Sequence, residues 1–283
     1  MEASTSTASP LFIDSSHGQL FCVERFYEAC SEARRQVLFV PPFGDEMNKS
    51  RKMFNDTARS LACENIPSVI LDLYGTGDSE GEFVEATWEV WVDSVAAAVS
   101  AMKAKCSAPI TVVGLRLGCL VALNYLVSIP KDNTPVDQLI LWQPVLNGEL
   151  FIKQFFRTRV AAEAFSGNDK ITVDQLLSLA SESGAVEVAG YELSHQLIEG
   201  IRSVHSVVSD CPFPQNVSCE WFEVSRTKQD VLPASKRFIS KLQDDGVGVS
   251  STIVKGDSFW SAQEICVVPA LASETVNAVC RGI

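Results

Sequence analysis

The run Ile110-Thr111-Val112-Val113-Gly114-Leu115-Arg116-Leu117-Gly118-Cys119-Leu120 constrains this chain more than any other stretch. A β-branched segment, favoured in strands, ends in Gly-x-Arg-x-Gly and passes at once into an apolar helical pattern through Tyr125 and Leu126. Two glycines one residue apart from their centre let strand and helix approach closely. The side chain between them, Arg116, is then left standing at the top of the strand. Such a strand-to-helix step is the repeating unit of a parallel sheet, and the rest of the chain repeats it. Gln36 to Val40, Ser68 to Leu73, Gln138 to Trp142, Ser218 to Val224 and Gly248 to Val254 read as buried strands. Asp45 to Ala62, Thr87 to Ala104, Pro233 to Leu242 and Pro269 to Val279 read as helices, with apolar residues every three or four positions. The expected fold class is α/β: a mostly parallel central sheet covered by helices on both faces. Ahead of it, residues 10–30 read as an antiparallel hairpin turning at Ser15 to Gly18, with Gln19 to Tyr27 as its second strand.

Between Asn147 and about Asn216 the strand rhythm stops. Gly148 to Phe165, Val173 to Ala180 and Ser194 to Val204 carry helical spacing. Strands resume afterwards, so the expected organisation is a core of residues 1–146 and 217–283 with an inserted helical cap at 147–216. Phe151, Phe155 and Phe156 are expected to pack that cap onto the sheet domain.

Charge narrows the partners. Lys and Arg number 23 against 35 Asp and Glu, a net charge of −12 spread along the chain, which argues against nucleic acid. No apolar run reaches the roughly 18 residues of a membrane span. The opening Met-Glu-Ala-Ser-Thr-Ser-Thr lacks the basic start and apolar core of a secretion signal. Nine cysteines, odd in number and without a C-x-x-C pair, read as reduced thiols. The expected location is cytoplasmic, with no membrane span. No His/Cys cluster has metal-ligand spacing, so neither metal nor cofactor is expected. Gly75-Thr76-Gly77 is not followed by a helix start of dinucleotide-binding spacing.

Ligands on such sheets sit outside the carboxyl ends of the strands, and the residues there carry a family likeness. Strand, glycine-flanked turn and helix form the setting of the Gly-x-Ser-x-Gly nucleophile elbow of α/β-hydrolases. Val40 to Arg51 occupies the place of their oxyanion loop, and Asp72-Leu73-Tyr74-Gly75-Thr76-Gly77-Asp78-Ser79 resembles their Asp-x-x-Gly-x-Gly-x-Ser loop. With Gly114 to Gly118, Leu141 to Val145, Val188 to Ser194 and Phe259-Trp260, these segments resemble one bacterial group. It is the second hydrolase associated with the exosortase A system, found near genes for extracellular polysaccharide and PEP-CTERM protein sorting. The likeness runs from about Val37 onward and implies an α/β-hydrolase fold with a cap. A polysaccharide-biosynthesis protein as partner and a small-molecule or saccharide-like ligand follow from the same likeness.

The chemistry departs from the pattern. A guanidinium stays protonated and has no lone pair with which to attack, so Arg116 is no nucleophile. Asp230, in Arg226-Thr227-Lys228-Gln229-Asp230-Val231, falls at the acid position. The histidine position falls in Lys255 to Trp260, which holds none. His17, His195 and His205 lie in the hairpin turn and the inserted helices. Removing Ser or His from such a triad costs a rate factor on the order of 10⁶. Ser79 and Cys119 are the remaining nucleophile candidates, the first expected to cap a segment and the second to face the core.

What remains at the strand ends is polar: Glu46, Asn48 and Arg51 from one loop, Asp78 from the next, Arg116 and Asp230, beside Phe43, Phe259 and Trp260. These residues read either as an ion-pair network filling the vacated site or as a pocket for an anionic or hydroxyl-rich ligand. Glu46 is the expected partner of Arg116, with Asp230 the second choice. Lys153, Arg157 and Arg159 are either a solvated helix face or the rim of the pocket. Three roles stay open: an accessory binding protein, a hydrolase of an ester or acyl group through a rearranged site, and a structural partner of a polysaccharide enzyme.

Overall fold

The computed structural model describes residues 7–26, 33–130, 134–166, 171–210, 213–214, 216–227 and 229–281. Most of the Ser/Thr-rich opening and Tyr27, the expected end of the hairpin, lie outside the described residues, as does the side chain of His205.

Among the described residues, ten strands and eight α-helices follow in chain order: β1 (Thr7–Ser15), β2 (Gly18–Phe26), β3 (Gln36–Val40), α1 (Asp45–Cys63), β4 (Ser68–Leu71), α2 (Trp88–Lys105), β5 (Ile110–Leu115), α3 (Leu117–Ser128), β6 (Val136–Trp142), α4 (Gly148–Ser166), α5 (Val173–Ser183), β7 (Ala185–Val188), β8 (Tyr191–Ser194), α6 (His195–Asp210), β9 (Ser218–Ser225), α7 (Pro233–Asp244), β10 (Val249–Lys255) and α8 (Pro269–Arg281). Eight strands form one sheet in the order β1-β2-β4-β3-β5-β6-β9-β10. β1 and β2 pair antiparallel, β2 joins β4 antiparallel, and every other neighbouring pair is parallel.

Parallel strands are covered on both faces, so successive residues must serve opposite cores. Leu38 and Val40 belong to the core shared with α2, α3 and α7, while Val37 and Phe39 belong to the core under α1 and α8. The same split places Leu139 and Leu141 against Ile140 and Trp142. Thr87 starts α2 by accepting a hydrogen bond from the Val90 N–H, which satisfies one of the donors a helix start leaves free. α3 is apolar all round, and every residue from Leu117 to Leu126 is buried, as a central helix requires. This is the α/β-hydrolase fold.

Between β6 and β9 the chain leaves the sheet. α4, α5 and α6 are the expected helices, but β7 and β8 form a separate antiparallel hairpin that helical spacing did not indicate. Its strands are four residues long, too short for a period-two signal. Its turn is marked by Ala189 and Gly190, both at positive φ (54° and 83°). Phe151 and Phe156 are buried in the core with α2 and α3, and Phe155 packs against it. Arg202 of α6 ties to Glu149 of α4 and holds its carboxyl down to about 2, with Lys153 adding to the shift.

Among the described residues no helix is long and apolar enough to cross a membrane. Cys22, Cys63, Cys119, Cys219, Cys266 and Cys280 are free thiols.

Candidate functional site

The centre of the strand ends is the turn from β5 into α3. Arg116 has φ 54° and ψ −117°, a conformation that costs a non-glycine residue about 1–3 kcal/mol. The surrounding backbone imposes it. A Cβ on Gly118 would lie 2.3 Å from the Val40 carbonyl oxygen, and one on Gly114 would lie 2.7 Å from the Cys119 Cα. Only glycine fits at either flank. The Arg116 N–H donates to the Trp142 carbonyl at 3.0 Å, and its own carbonyl accepts from the Val145 N–H at 3.2 Å. The strained geometry of a nucleophile elbow is thus present with arginine at its tip.

Glu46, in the first turn of α1, answers that arginine: Arg116 Nε donates to Glu46 Oε1 at 3.1 Å. The Arg116 guanidinium lies over the Trp260 ring at 5.6 Å, so carboxylate and indole hold it from two sides. The second carboxylate oxygen, Oε2, is buried and has no partner among the described residues. Burial raises the Glu46 pKa above its ordinary value, opposed by the charge and hydrogen bond of Arg116 and by Lys49. Among the described residues neither Arg116 Nη atom has a hydrogen-bond partner, and neither is sealed from solvent.

These groups border a cavity of about 400 Å³. Its walls are Phe43, the start of α1 with Asp45, Glu46 and Lys49, the elbow, the α4 face with Phe151, Gln154, Phe155 and Thr158, Ala189 of the hairpin turn, and Trp260-Ser261. Phe43 anchors the apolar wall, its ring 5.2 Å from Phe155, 5.6 Å from Phe151 and 5.7 Å from Trp91. Lys49 is paired back to Asp45 at 2.8 Å.

Of the residues expected here, Glu46, Arg116, Phe43 and Trp260 meet in this cavity. Phe259 is fully buried behind it, edge-on to Trp260 and Trp142. Asn48 lies beside the Tyr191 side chain of the hairpin. Arg51 and Asp78 serve a neighbouring loop, whose hub is Asp72. That carboxylate, only 2% exposed, accepts from Arg51 Nη2 at 2.9 Å and from the Asp78 N–H at 3.1 Å. The side chain of Asp78 itself is exposed. Asp230 lies away from Arg116: its exposed carboxylate is hydrogen-bonded to Lys236, which lowers its pKa. Of these two acids, Glu46 is the one that partners Arg116.

The other candidates have structural partners. Ser79 Oγ donates to the Asp72 carbonyl at 2.6 Å and accepts the Phe21 N–H at 2.8 Å, capping its loop. Cys119 is fully buried, and burial drives its pKa well up, which keeps the thiol protonated and inert. His17 pairs with Asp93 at 3.0 Å. Lys153 and Arg159 pair with Glu149 and Glu163, Arg157 is exposed, and none of the three borders the cavity. Lys49 and Asp72 were not singled out from the sequence. Lys49 sits one turn after Glu46 on α1, a spacing that places both on one helix face.

A second hollow of about 440 Å³ opens at the carboxyl ends of β9 and β10, bordered by Gln143, Glu223, Ser225, Arg226, Asp257 and Ser258. Here Glu223, 3% exposed, accepts from the Leu232 N–H at 3.0 Å, from Ser235 Oγ, and from Trp221 Nε1 at 3.4 Å. Arg226 and Asp257 pair at the rim. Among the described residues no group of three or more His, Cys, Asp and Glu side chains could hold a metal ion.

Residues 31–181 match the model of the family described as Serine aminopeptidase, S33. Among solved structures the chain is similar to Est1E from Butyrivibrio proteoclasticus, with a TM-score of 0.66, 13% identity, and coverage of 96% of this chain and 98% of that one. It is similar to alpha/beta hydrolase domain-containing protein 10 from mouse, with a TM-score of 0.61 and 15% identity over 98% and 100% of the two chains. The thioesterase domain from the curacin biosynthetic pathway aligns with a TM-score of 0.58 and 10% identity over 97% and 99%. Among curated proteins, no sequence matches.

Proposed function

The chain belongs to the serine aminopeptidase S33 family of α/β-hydrolases, and from that premise we propose that it uses the family's elbow to bind a small molecule rather than to attack one. The observation that carries this reading is Arg116 at the elbow tip, bordering an open cavity of about 400 Å³. A volume near the lower end of the roughly 300–1,000 Å³ common for ligand sites, with aromatic walls and a few charged groups, suits non-covalent recognition. The cationic side chain favours an anionic or hydroxyl-rich ligand. Residues 147–216 act as a cap over a core formed by 1–146 and 217–283. The site residues in this reading are Arg116, Glu46, Phe43 and Trp260, while Asn48, Arg51 and Asp78 support the loops that frame them.

A covalent route finds no support in the same geometry. Ser79 is engaged by two backbone groups, Cys119 is buried, and Lys255 to Trp260 holds no histidine. Est1E, a structural neighbour, has been captured with ferulic acid, a small organic acid, bound. From the resemblance to the exosortase-associated group we read the binding role as an accessory activity beside extracellular polysaccharide assembly.

Incubation with a fluorophosphonate serine probe, read by intact mass, tests the reading. No mass shift is expected. Stoichiometric labelling of any serine would establish a working nucleophile and replace binding with hydrolysis of an ester or acyl group.

A further inference from the structure

We propose that the elbow cavity is built for an amphipathic organic acid: one carboxylate held by the two Nη groups of Arg116, and an apolar body lying among Phe43, Phe151, Phe155 and Trp260. This deepens the binding reading above and rests on it. The guanidinium is the first ground. Glu46 takes only Nε, at 3.1 Å, so the edge carrying both Nη atoms keeps its donors unpaired among the described residues. That edge is the fork that grips a carboxylate with two parallel hydrogen bonds. Trp260 under the guanidinium at 5.6 Å and Glu46 beside it fix the plane of the fork before any ligand arrives. A pre-set fork loses little entropy on binding.

The second ground is what faces the rest of the ligand. Phe43, Phe151 and Phe155 form one continuous wall, with ring centroids 5.2 to 6.4 Å apart. A sugar placed there would press hydroxyls against carbon, and a buried hydroxyl without a partner costs about 1–3 kcal/mol. An alkyl or aryl body meets no such penalty. The third ground is charge balance. Lys49 is already answered by Asp45, and the other wall residues from α4, the hairpin turn and the Trp260 loop are uncharged. Arg116 and Glu46 likewise pair, so an anionic head is drawn by the open Nη edge of Arg116 and not by a net positive charge of the walls, and a second head would face Glu46 and Asp45.

Isothermal titration of the full chain with 3-phenylpropanoate, octanoate, 3-phenylpropanamide and glucuronate tests this. Both amphipathic acids are expected to bind, with the amide and the hydrophilic acid at least about tenfold weaker, the worth of one charge-assisted contact. Arg116→Gln should remove that acid-over-amide preference, and Phe155→Ala should weaken acid and amide together. The comparison within the wild-type chain stands even where a variant does not fold. Equal binding of acid and amide, a preference for glucuronate, or binding of none of the four overturns the inference while leaving the non-covalent reading to its own test. Covalent labelling by the fluorophosphonate probe sinks that reading, whichever compounds bind.

Discussion

The elbow cavity and the hollow between β9 and β10 lie along one row of strand ends, yet different levels of structure hold them. At the elbow the backbone itself is specialised. Arg116 sits at φ 54° because Gly114 and Gly118 have no room for a Cβ and two backbone hydrogen bonds tie the turn to the end of β6 and the loop after it. In the second hollow the backbone of β9 and β10 is ordinary, Gln143 at the end of β6 standing at φ 46°, and side chains do more of the organising: buried Glu223 collects Leu232, Ser235 and Trp221, while Arg226 and Asp257 meet in solvent. The contrast shows that the shape of an elbow does not depend on its tip residue. Its shape is set by glycines and packing that any tip residue inherits, whereas a triad base and acid exist only as particular side chains.

The largest expected difference, measured against a working triad enzyme, tests whether the second hollow could serve the elbow. Arg116→Ser restores the Gly-x-Ser-x-Gly pattern but supplies no base. The variant is expected to stay unlabelled by fluorophosphonate and to leave ester hydrolysis at background, short of a triad enzyme by a factor on the order of 10⁶. Labelling of this single variant would break the comparison, because a base would then already be in reach.

A smaller effect concerns stability. Arg116 and Glu46 side chains are 21% and 23% exposed, so stranding the acid should cost less than the 3–5 kcal/mol of a fully buried pair. Arg116→Ala is expected to destabilise the protein by about 2 kcal/mol in urea unfolding at pH 7, tempered by partial solvation. Arg116→Gly should recover about 1 kcal/mol of that by relieving the positive φ. The sign of the pH dependence follows from burial, which raises the Glu46 pKa in the folded protein above its unfolded value. The ionised acid is the costly form, and Arg116 supplies the charge and hydrogen bond that hold this pKa down, so the penalty of Arg116→Ala should shrink as pH falls through the variant's still higher pKa and level off below the wild-type one. A penalty independent of pH would mean that Glu46 is not the group left stranded.

The smallest effect belongs to the rim of the second hollow. Arg226 and Asp257 side chains are 76% and 44% exposed, and ion pairs of this kind contribute about 0–1 kcal/mol. Asp257→Asn is expected to shift the unfolding midpoint within the scatter of surface substitutions, about 0.5 kcal/mol. A shift as large as that of Arg116→Ala would show the two regions to be equally bound into the core and dissolve the distinction drawn between them.

Much of this molecule follows from local sequence alone. The strand-to-helix step at Ile110 to Leu126, the alternation that sends Val37 and Phe39 to one core and Leu38 and Val40 to the other, and the arginine at the elbow are read directly from residue type and spacing. Periods of two and 3.6 residues are properties of the backbone and need no tertiary information. The pairing of Arg116 with Glu46, 70 positions apart, was legible only as a likelihood of loops meeting at strand ends. Other features were out of reach. The β7–β8 hairpin is too short to carry a period, and Asp72 rather than Asp78 became the acidic hub because one lies at the buried end of β4 and the other on an exposed turn. Asp230 stood at the acid position by order along the chain, but the three-dimensional path of its loop turned it to Lys236 and solvent. Whether Arg116 met a filled core or an open cavity was decided by how α4 and the hairpin turn pack over the elbow. That packing depends on the summed shapes of side chains far apart in sequence, which no local pattern encodes.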